Sequence, residues 1–350
     1  LSGDAQGPAF VGPAAAALSF LMVGAGLHTT QTAGLALAAD LSTDAKQARV
    51  VALLYVMLLA GMGISALIFS LVLADFSQLQ LIRVVQGAAL ATMVLNCVSL
   101  WKQEKKNADL KAQVPKLGFR AAWRDFVGKA GAKRFLWATG LGTAAFNMQD
   151  ILLEPYGAEV LALPVAQTTA LSAFTAAGML IAFGLAARAL SRGQQALKLA
   201  AAGAVMGVFA FAAVIFAGPM QSPELFRLGA SLIGFGGGLF AVGTLITAMN
   251  LEQGLYKGLA LGAWGAVQAS AAGFAIAAGG VLRDLLKHPM LSGAWGEALQ
   301  NPDMPYSAVY HIEIAMLFVT LALIGPITRS LKLQQMPVNT QGFGVAQLPG

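Results

Sequence analysis

The chain has 350 residues, of which 57% are hydrophobic and only 11% charged, and it carries a net charge of +6. Soluble domains are roughly a quarter charged, so this composition excludes one and points to an all-α, polytopic membrane protein. A single cysteine, Cys97, excludes an intrachain disulfide and a thiolate metal cluster.

Apolar stretches of about 20 residues, the length that spans a bilayer, fall at 8–38, 50–73, 81–101, 134–154, 165–189, 197–217, 226–249, 257–282 and 308–328. These nine spans put the chain ends on opposite sides. Eighteen of the 22 Lys/Arg residues fall in the loops after the first, third, fifth and seventh spans and in the C-terminal tail. The positive-inside rule then places the C-terminus in the cytoplasm and residue 1 outside. The basic excess is thus a topology signal and gives no reason to expect nucleic acid.

A chain that starts outside with Leu1, and has three spans before the basic loop 102–133 but six after it, is expected to lack three N-terminal spans. The segments 35–67 and 246–277 support a repeat, each running from a helix end through a short charged loop into a Gly/Ala-rich helix. The expected organisation is residues 1–101 as the second part of an N-terminal six-helix half, 102–133 as a cytoplasmic central loop, 134–330 as the C-terminal six-helix half, and 331–350 as a cytoplasmic tail. Two such halves describe a major facilitator superfamily-like helical bundle with nine of twelve transmembrane helices present. The loop segment "GLAARALSRG" (184–193) stands where that superfamily carries a Gly/Arg motif. In the central loop, "GFRAAWRDFVGKAGAKRFL" (118–136) alternates aromatic and basic residues at helical spacing. It reads either as an interfacial helix or as a connector whose bases enforce topology.

Polar residues at membrane depth are costly and few, so each is informative. In the first span, His28, Thr29, Thr30 and Gln31 interrupt an apolar run. They read either as interhelical hydrogen-bonding groups or as a site in which a neutral imidazole ligates. The fourth span ends "FNMQDILLEPYGAEVL", with Asn147, Gln149, Asp150, Glu154 and Tyr156 in one stretch. An unbroken helix would place Asn147, Asp150 and Glu154 on one face, where two carboxyls suit a shared proton; alternatively Pro155 and Gly157 end the helix and Glu154 is solvated. In the eighth span Trp264 and Gln268 share a face, as cavity lining or as ordinary core. His311 and Glu313 are expected in water at the outer end of the last span. No zinc-type ligand spacing, catalytic triad or Walker loop is present, so neither an enzyme, a protein-bound metal ion nor a nucleotide is expected.

The strings "GAGLHTTQTAGLALAADL", "RVVALLYVMLLAGM", "LIRVVQGAA", "NCVSLWKQE" and "GTAAFNMQDILLEPYG" together resemble the PucC family, major-facilitator-like membrane proteins of phototrophic bacteria. The resemblance runs from about residue 15 to 330. It implies an assembly factor for light-harvesting antenna complexes in the bacterial inner, intracytoplasmic photosynthetic membrane. Antenna polypeptides, photosynthetic assembly intermediates and membrane lipids would be its partners, and bacteriochlorophyll its cofactor. Under that resemblance His28 becomes a candidate axial ligand of the pigment magnesium, with Thr29, Thr30 and Gln31 around it. Asn147, Gln149, Asp150 and Glu154, together with Trp264 and Gln268, complete the candidate binding set. The competing readings are a secondary transporter of a lipophilic solute and a permanent antenna subunit.

The topology predicts that single cysteines at Ser77 and Gln113, in a Cys97→Ala background, label from opposite membrane faces with an impermeant thiol reagent. Labelling of both from one face would overturn the assignment.

Overall fold

The computed structural model describes residues 11–41, 77–101, 119–129, 131–251 and 257–335, with scattered positions between 50 and 72. Most of the second expected span, the first part of the central loop (102–118) and the tail beyond Gln335 lie outside the described residues. All regular structure among the described residues is helical. In chain order the helices are α1 (Val11–Leu41), α2 (Gln78–Ser99), α3 (Phe119–Gly128), α4 (Ala132–Asn147), α5 (Leu153–Glu159), α6 (Val165–Ser191), α7 (Ala196–Ala217), α8 (Pro223–Leu251), α9 (Lys257–Leu291) and α10 (Met304–Gln335). Six of them, α2 and α6 to α10, are long and apolar enough to cross a membrane.

The fourth expected span departs from the sequence reading. It is split into α4, a 3-10 turn at Met148–Ile151, and α5. Pro155, expected to help end the helix, instead lies in the first turn of α5. Proline has no N–H, and its ring clashes with the carbonyl four residues earlier, here that of Ile151. An α-helix cannot run through this point, so it breaks one turn upstream.

The C-terminal bundle is organised around α8, which is flanked by α6 and α7, while α4 is held between α9 and α10. The contact of α8 with α6 is made at glycines: a Cβ at Gly178 would overlap the Ser231 carbonyl, and one at Gly234 the Thr175 carbonyl. On its other side, α8 meets α7 at Gly203 and Gly236, where each glycine's nearest contact is the other's backbone carbonyl. Without a Cβ on either helix the backbones come into direct contact, and dispersion holds them together in lipid. Phe146 of α4 fills the remaining gap, with ring centroids 6.2 Å from Phe211 and 5.8 Å from Phe240.

Outside this core the helices carry large apolar side chains on their outer faces, among them Trp137, Phe209, Phe216, Phe274 and Phe318. Such a surface is stable against hydrocarbon rather than water. The helix α3 docks through buried Phe126, which clusters with Ala132, Ala260 and Ala263 at the starts of α4 and α9. It leaves Phe119 exposed and Trp123 between the two phenylalanine rings. The turn from α3 into α4 passes through Gly131 at φ 91°, a left-handed conformation that glycine adopts without strain.

Two glycines one turn apart on α8 test this account. Gly234→Ala forces α6 and α8 apart and is expected to destabilise by roughly 1–3 kcal/mol. At Gly237 a Cβ meets only the Phe146 ring at 3.5 Å, so Gly237→Ala is expected to range from neutral to stabilising by about 1 kcal/mol. Thermal unfolding of the two variants in one detergent gives the comparison, and equal effects would refute the backbone-contact account.

Candidate functional site

The break after α4 lies inside the bundle against α9 and α10. A Cβ at Gly279 of α9 would collide with the Met148 carbonyl, so α9 approaches the broken backbone closely. The 3-10 turn interrupts the regular α-helix between Asn147 and Glu154, and these polar side chains differ in their surroundings. Asn147 turns back along α4, donating its amide to the Thr143 carbonyl at 2.7 Å. Gln149 is buried and donates to the Asp150 carboxylate at 2.5 Å and to the Phe146 carbonyl at 3.3 Å. Asp150 is exposed at the turn, and Glu154 is exposed in the first turn of α5.

The acid that faces Asp150 is Glu313 of α10. Glu313 is 0% exposed, which corrects its expected place in water. His311 is exposed, with Nδ1 2.7 Å from the Ser307 carbonyl. Two residues along an α-helix turn through about 200°, so the pair cannot share an environment. The sequence signal was available: Tyr306, Tyr310, Glu313, Leu317, Thr320 and Ile324 recur at three- and four-residue spacing, and all are buried. Both Glu313 carboxyl oxygens, the Gln149 side-chain oxygen and the Tyr310 hydroxyl are buried without a hydrogen-bond partner.

Above Glu313 stands an aromatic cluster. Tyr156 makes edge-to-face contacts with Tyr306 and Tyr310, at centroid distances of 5.4 and 5.8 Å, and donates its hydroxyl to the Val214 carbonyl at 3.1 Å. At the mouth, Arg283 lies over the Tyr306 ring and bonds the Tyr306 hydroxyl, Glu159 at 2.6 Å and Asp284 at 2.7 Å. Burial acts to raise the Glu159 carboxyl, but hydrogen bonds from Arg283 and Tyr306 and the Arg283 charge hold it below its ordinary range. Asp303, 2% exposed, is raised by burial, against a hydrogen bond from its own backbone amide. A cavity of about 230 Å³ is lined here by Glu159, Val160, Gly218, Gln221, Asn301 and Asp303. The segments 155–164, 218–225 and 283–307, expected on one side of the membrane, are thus gathered at one end of the bundle.

The remaining candidate residues lie apart from this cluster. The α1 helix packs on α9, where Thr32 abuts Gly265. His28, one turn from Thr32, is half-buried on a helix that exposes Val23 and Leu27. Thr29 and Thr30 are exposed and Gln31 is half-buried; the Thr29 hydroxyl is satisfied within its own helix by the Ala25 carbonyl at 2.7 Å. Trp264 is a core side chain, 2% exposed, with its indole N–H on the Thr244 hydroxyl at 3.2 Å. Gln268 is half-buried one turn further along α9. No cluster of three or more His, Cys, Asp or Glu side chains with metal-binding geometry occurs among the described residues.

Comparison with known proteins gives the family. The family model described as "PUCC protein" matches residues 1–331. The "Uncharacterized protein in puhA-bchM intergenic region" of Rhodobacter capsulatus is 48% identical over 354 residues, covering 100% of this chain and 74% of its own length. "Protein PucC" of Rhodovulum sulfidophilum is 49% identical over 287 residues, covering 81% of this chain and 63% of its own length. The "Bacteriochlorophyll synthase 44.5 kDa chain" of Rhodobacter capsulatus is 26% identical over 316 residues, covering 87% of this chain and 70% of its own length. With its family model matched over residues 1–331 and a relative 48% identical across all of it, this helical membrane chain belongs to the PUCC protein family.

Proposed function

We propose that this protein is an assembly factor for light-harvesting antenna complexes, resident in the bacterial inner photosynthetic membrane with its C-terminus in the cytoplasm. It holds bacteriochlorophyll, nascent antenna polypeptides, or both, by helix contacts in lipid. The observation that carries this reading is the extended similarity to Protein PucC; similarity to a chain named for bacteriochlorophyll synthase adds the pigment. We read the described helices as part of a major-facilitator-like bundle, with 134–330 as one half.

The surroundings of His28 fit a pigment. Its imidazole lies at a half-buried position on α1, a helix that exposes Met22, Val23 and Leu27, and such an apolar surface would suit a flat apolar macrocycle. A bound bacteriochlorophyll would bring a magnesium needing an axial ligand. The protein's part would be to orient the imidazole through its second nitrogen. Asp150 and Glu154, both exposed near the break, are assigned to partner contact or conformational change. A second reading, transport of a lipophilic solute, draws on the broken span itself, because discontinuous helices mark the binding sites of many transporters.

Two variants test the assignment. His28→Leu inserts at least as readily in lipid and cannot ligate, so copurified bacteriochlorophyll per monodisperse protein is expected to fall severalfold; an unchanged ratio removes His28 as a ligand. Asp150→Asn is expected to lower antenna levels in the cell while the protein's own membrane level stays constant. Wild-type antenna levels in that variant would return Asp150 to a structural role.

A further inference from the structure

The buried acid on α10 has no part in the pigment or partner contact proposed above, yet its burial is costly. An ionised carboxylate without a partner at this depth costs several kcal/mol. Glu313 is 0% exposed and neither carboxyl oxygen has a hydrogen bond. The Gln149 backbone amide faces it without reaching hydrogen-bonding geometry. Among the described residues Glu313 has no ion-pair partner, and the charged group acting on it is Asp150. Arg283, at the mouth of the bundle, is committed to Glu159, Asp284 and Tyr306.

The atoms left unpaired around Glu313 are all oxygens: its own two, the Gln149 side-chain oxygen and the Tyr310 hydroxyl one turn earlier on α10. Of these only the Tyr310 hydroxyl carries a hydrogen to donate, and it too is unpaired, so a carboxylate charge here is unmatched and a proton removes it without needing space. The bundle offers little space, since Tyr310 stacks on Phe211 and a Cβ at Gly207 of α7 would crowd both Leu317 and Phe146. Asp150 is exposed at the helix break and hydrogen-bonded to Gln149, so it connects the surface to the buried carboxyl.

We propose that Glu313 is an exchangeable proton site, loaded and emptied through Asp150 at the break between α4 and α5. In loading, a proton leaves an Asp150 carboxyl oxygen and bonds to a Glu313 carboxyl oxygen, and Asp150 is reprotonated from water; emptying is the reverse, and no electrons are exchanged. With both acids charged they repel across the turn, and with Glu313 neutral the turn and α10 close on each other. The groups facing Glu313 are few: Asp150 from the turn and Tyr310 from α10 itself, with Tyr156 and Tyr306 next in line around Tyr310. This inference does not rest on the antenna or pigment reading.

The test is infrared difference spectroscopy of the full chain in detergent, stepped from about pH 5 to about pH 9, a window in which unperturbed carboxylates stay ionised. The wild type is expected to lose a carboxylic-acid carbonyl band that shifts in heavy water. Glu313→Gln, a neutral isostere, should lack that band while keeping its thermal stability, and Glu313→Met, which suits the apolar slot, replaces it should the amide not fold. Asp150→Asn should retain the Glu313 band but slow its appearance after a pH jump by roughly 100-fold, the scale of a lost proton-transfer group. Superimposable difference spectra for wild type and the Glu313 variant would overturn the proposal. So would loss of the wild-type band on replacing choline with sodium at constant pH and ionic strength, which would assign the oxygens to a metal cation.

Discussion

Backbone contact between α8 and its two neighbours is the constraint on which the rest of the structure depends. In lipid there is no hydrophobic force to drive helices together, because hydrocarbon surrounds them whether apart or associated. The contact between α6 and α8 is made at Gly178 and Gly234, and that between α7 and α8 at Gly203 and Gly236. These close approaches fix α7, and α7 together with α8 forms the wall against which Phe146 of α4 is seated. Seating α4 in turn sets the position of the break that follows it.

The break carries most of the chemistry. Pro155 removes a hydrogen bond and sterically forbids the preceding turn, so a stretch rich in polar residues cannot be a smooth helix. The cost of that irregular backbone is met by burying it against α9 and α10 rather than lipid, the condition under which non-helical backbone is tolerated at membrane depth. The polar side chains then separate by role. Asn147 and Gln149 satisfy local carbonyls, Asp150 reaches the surface, and Glu313 is enclosed. At the mouth, Arg283 is neutralised by two acids and seated on Tyr306, so the end of the bundle is closed by a charged and aromatic layer.

The two readings of function draw on different parts of the molecule. The family assignment and the exposed apolar helix faces direct attention outward, to pigment and polypeptide in the membrane. The broken helix and the buried acid direct it inward, to a change of protonation within the C-terminal bundle. A protein that takes up and releases an apolar client requires both a surface that holds it and a change of state that releases it.

The sequence by itself determined the class, the family and six of the nine expected spans, because each is written in local order: 11% charge, runs of about 20 apolar residues and contiguous strings such as "HTTQTAGLALA". The ends of α6 to α8 fall within a few residues of the expected spans, since apolar length and flanking polar residues define them. Pro155 also carried the break, but its effect acts one turn upstream of its position, where the 3-10 turn lies. The environment of Glu313 was half-legible in the periodicity from Tyr306 to Ile324 and was obscured by its nearness to the helix end. Which acid met which, and which cation was already committed, only the tertiary structure decided. Those pairings join residues more than 100 positions apart, such as Glu159 with Arg283, and no local pattern encodes a contact made by the folding of separate helices against one another.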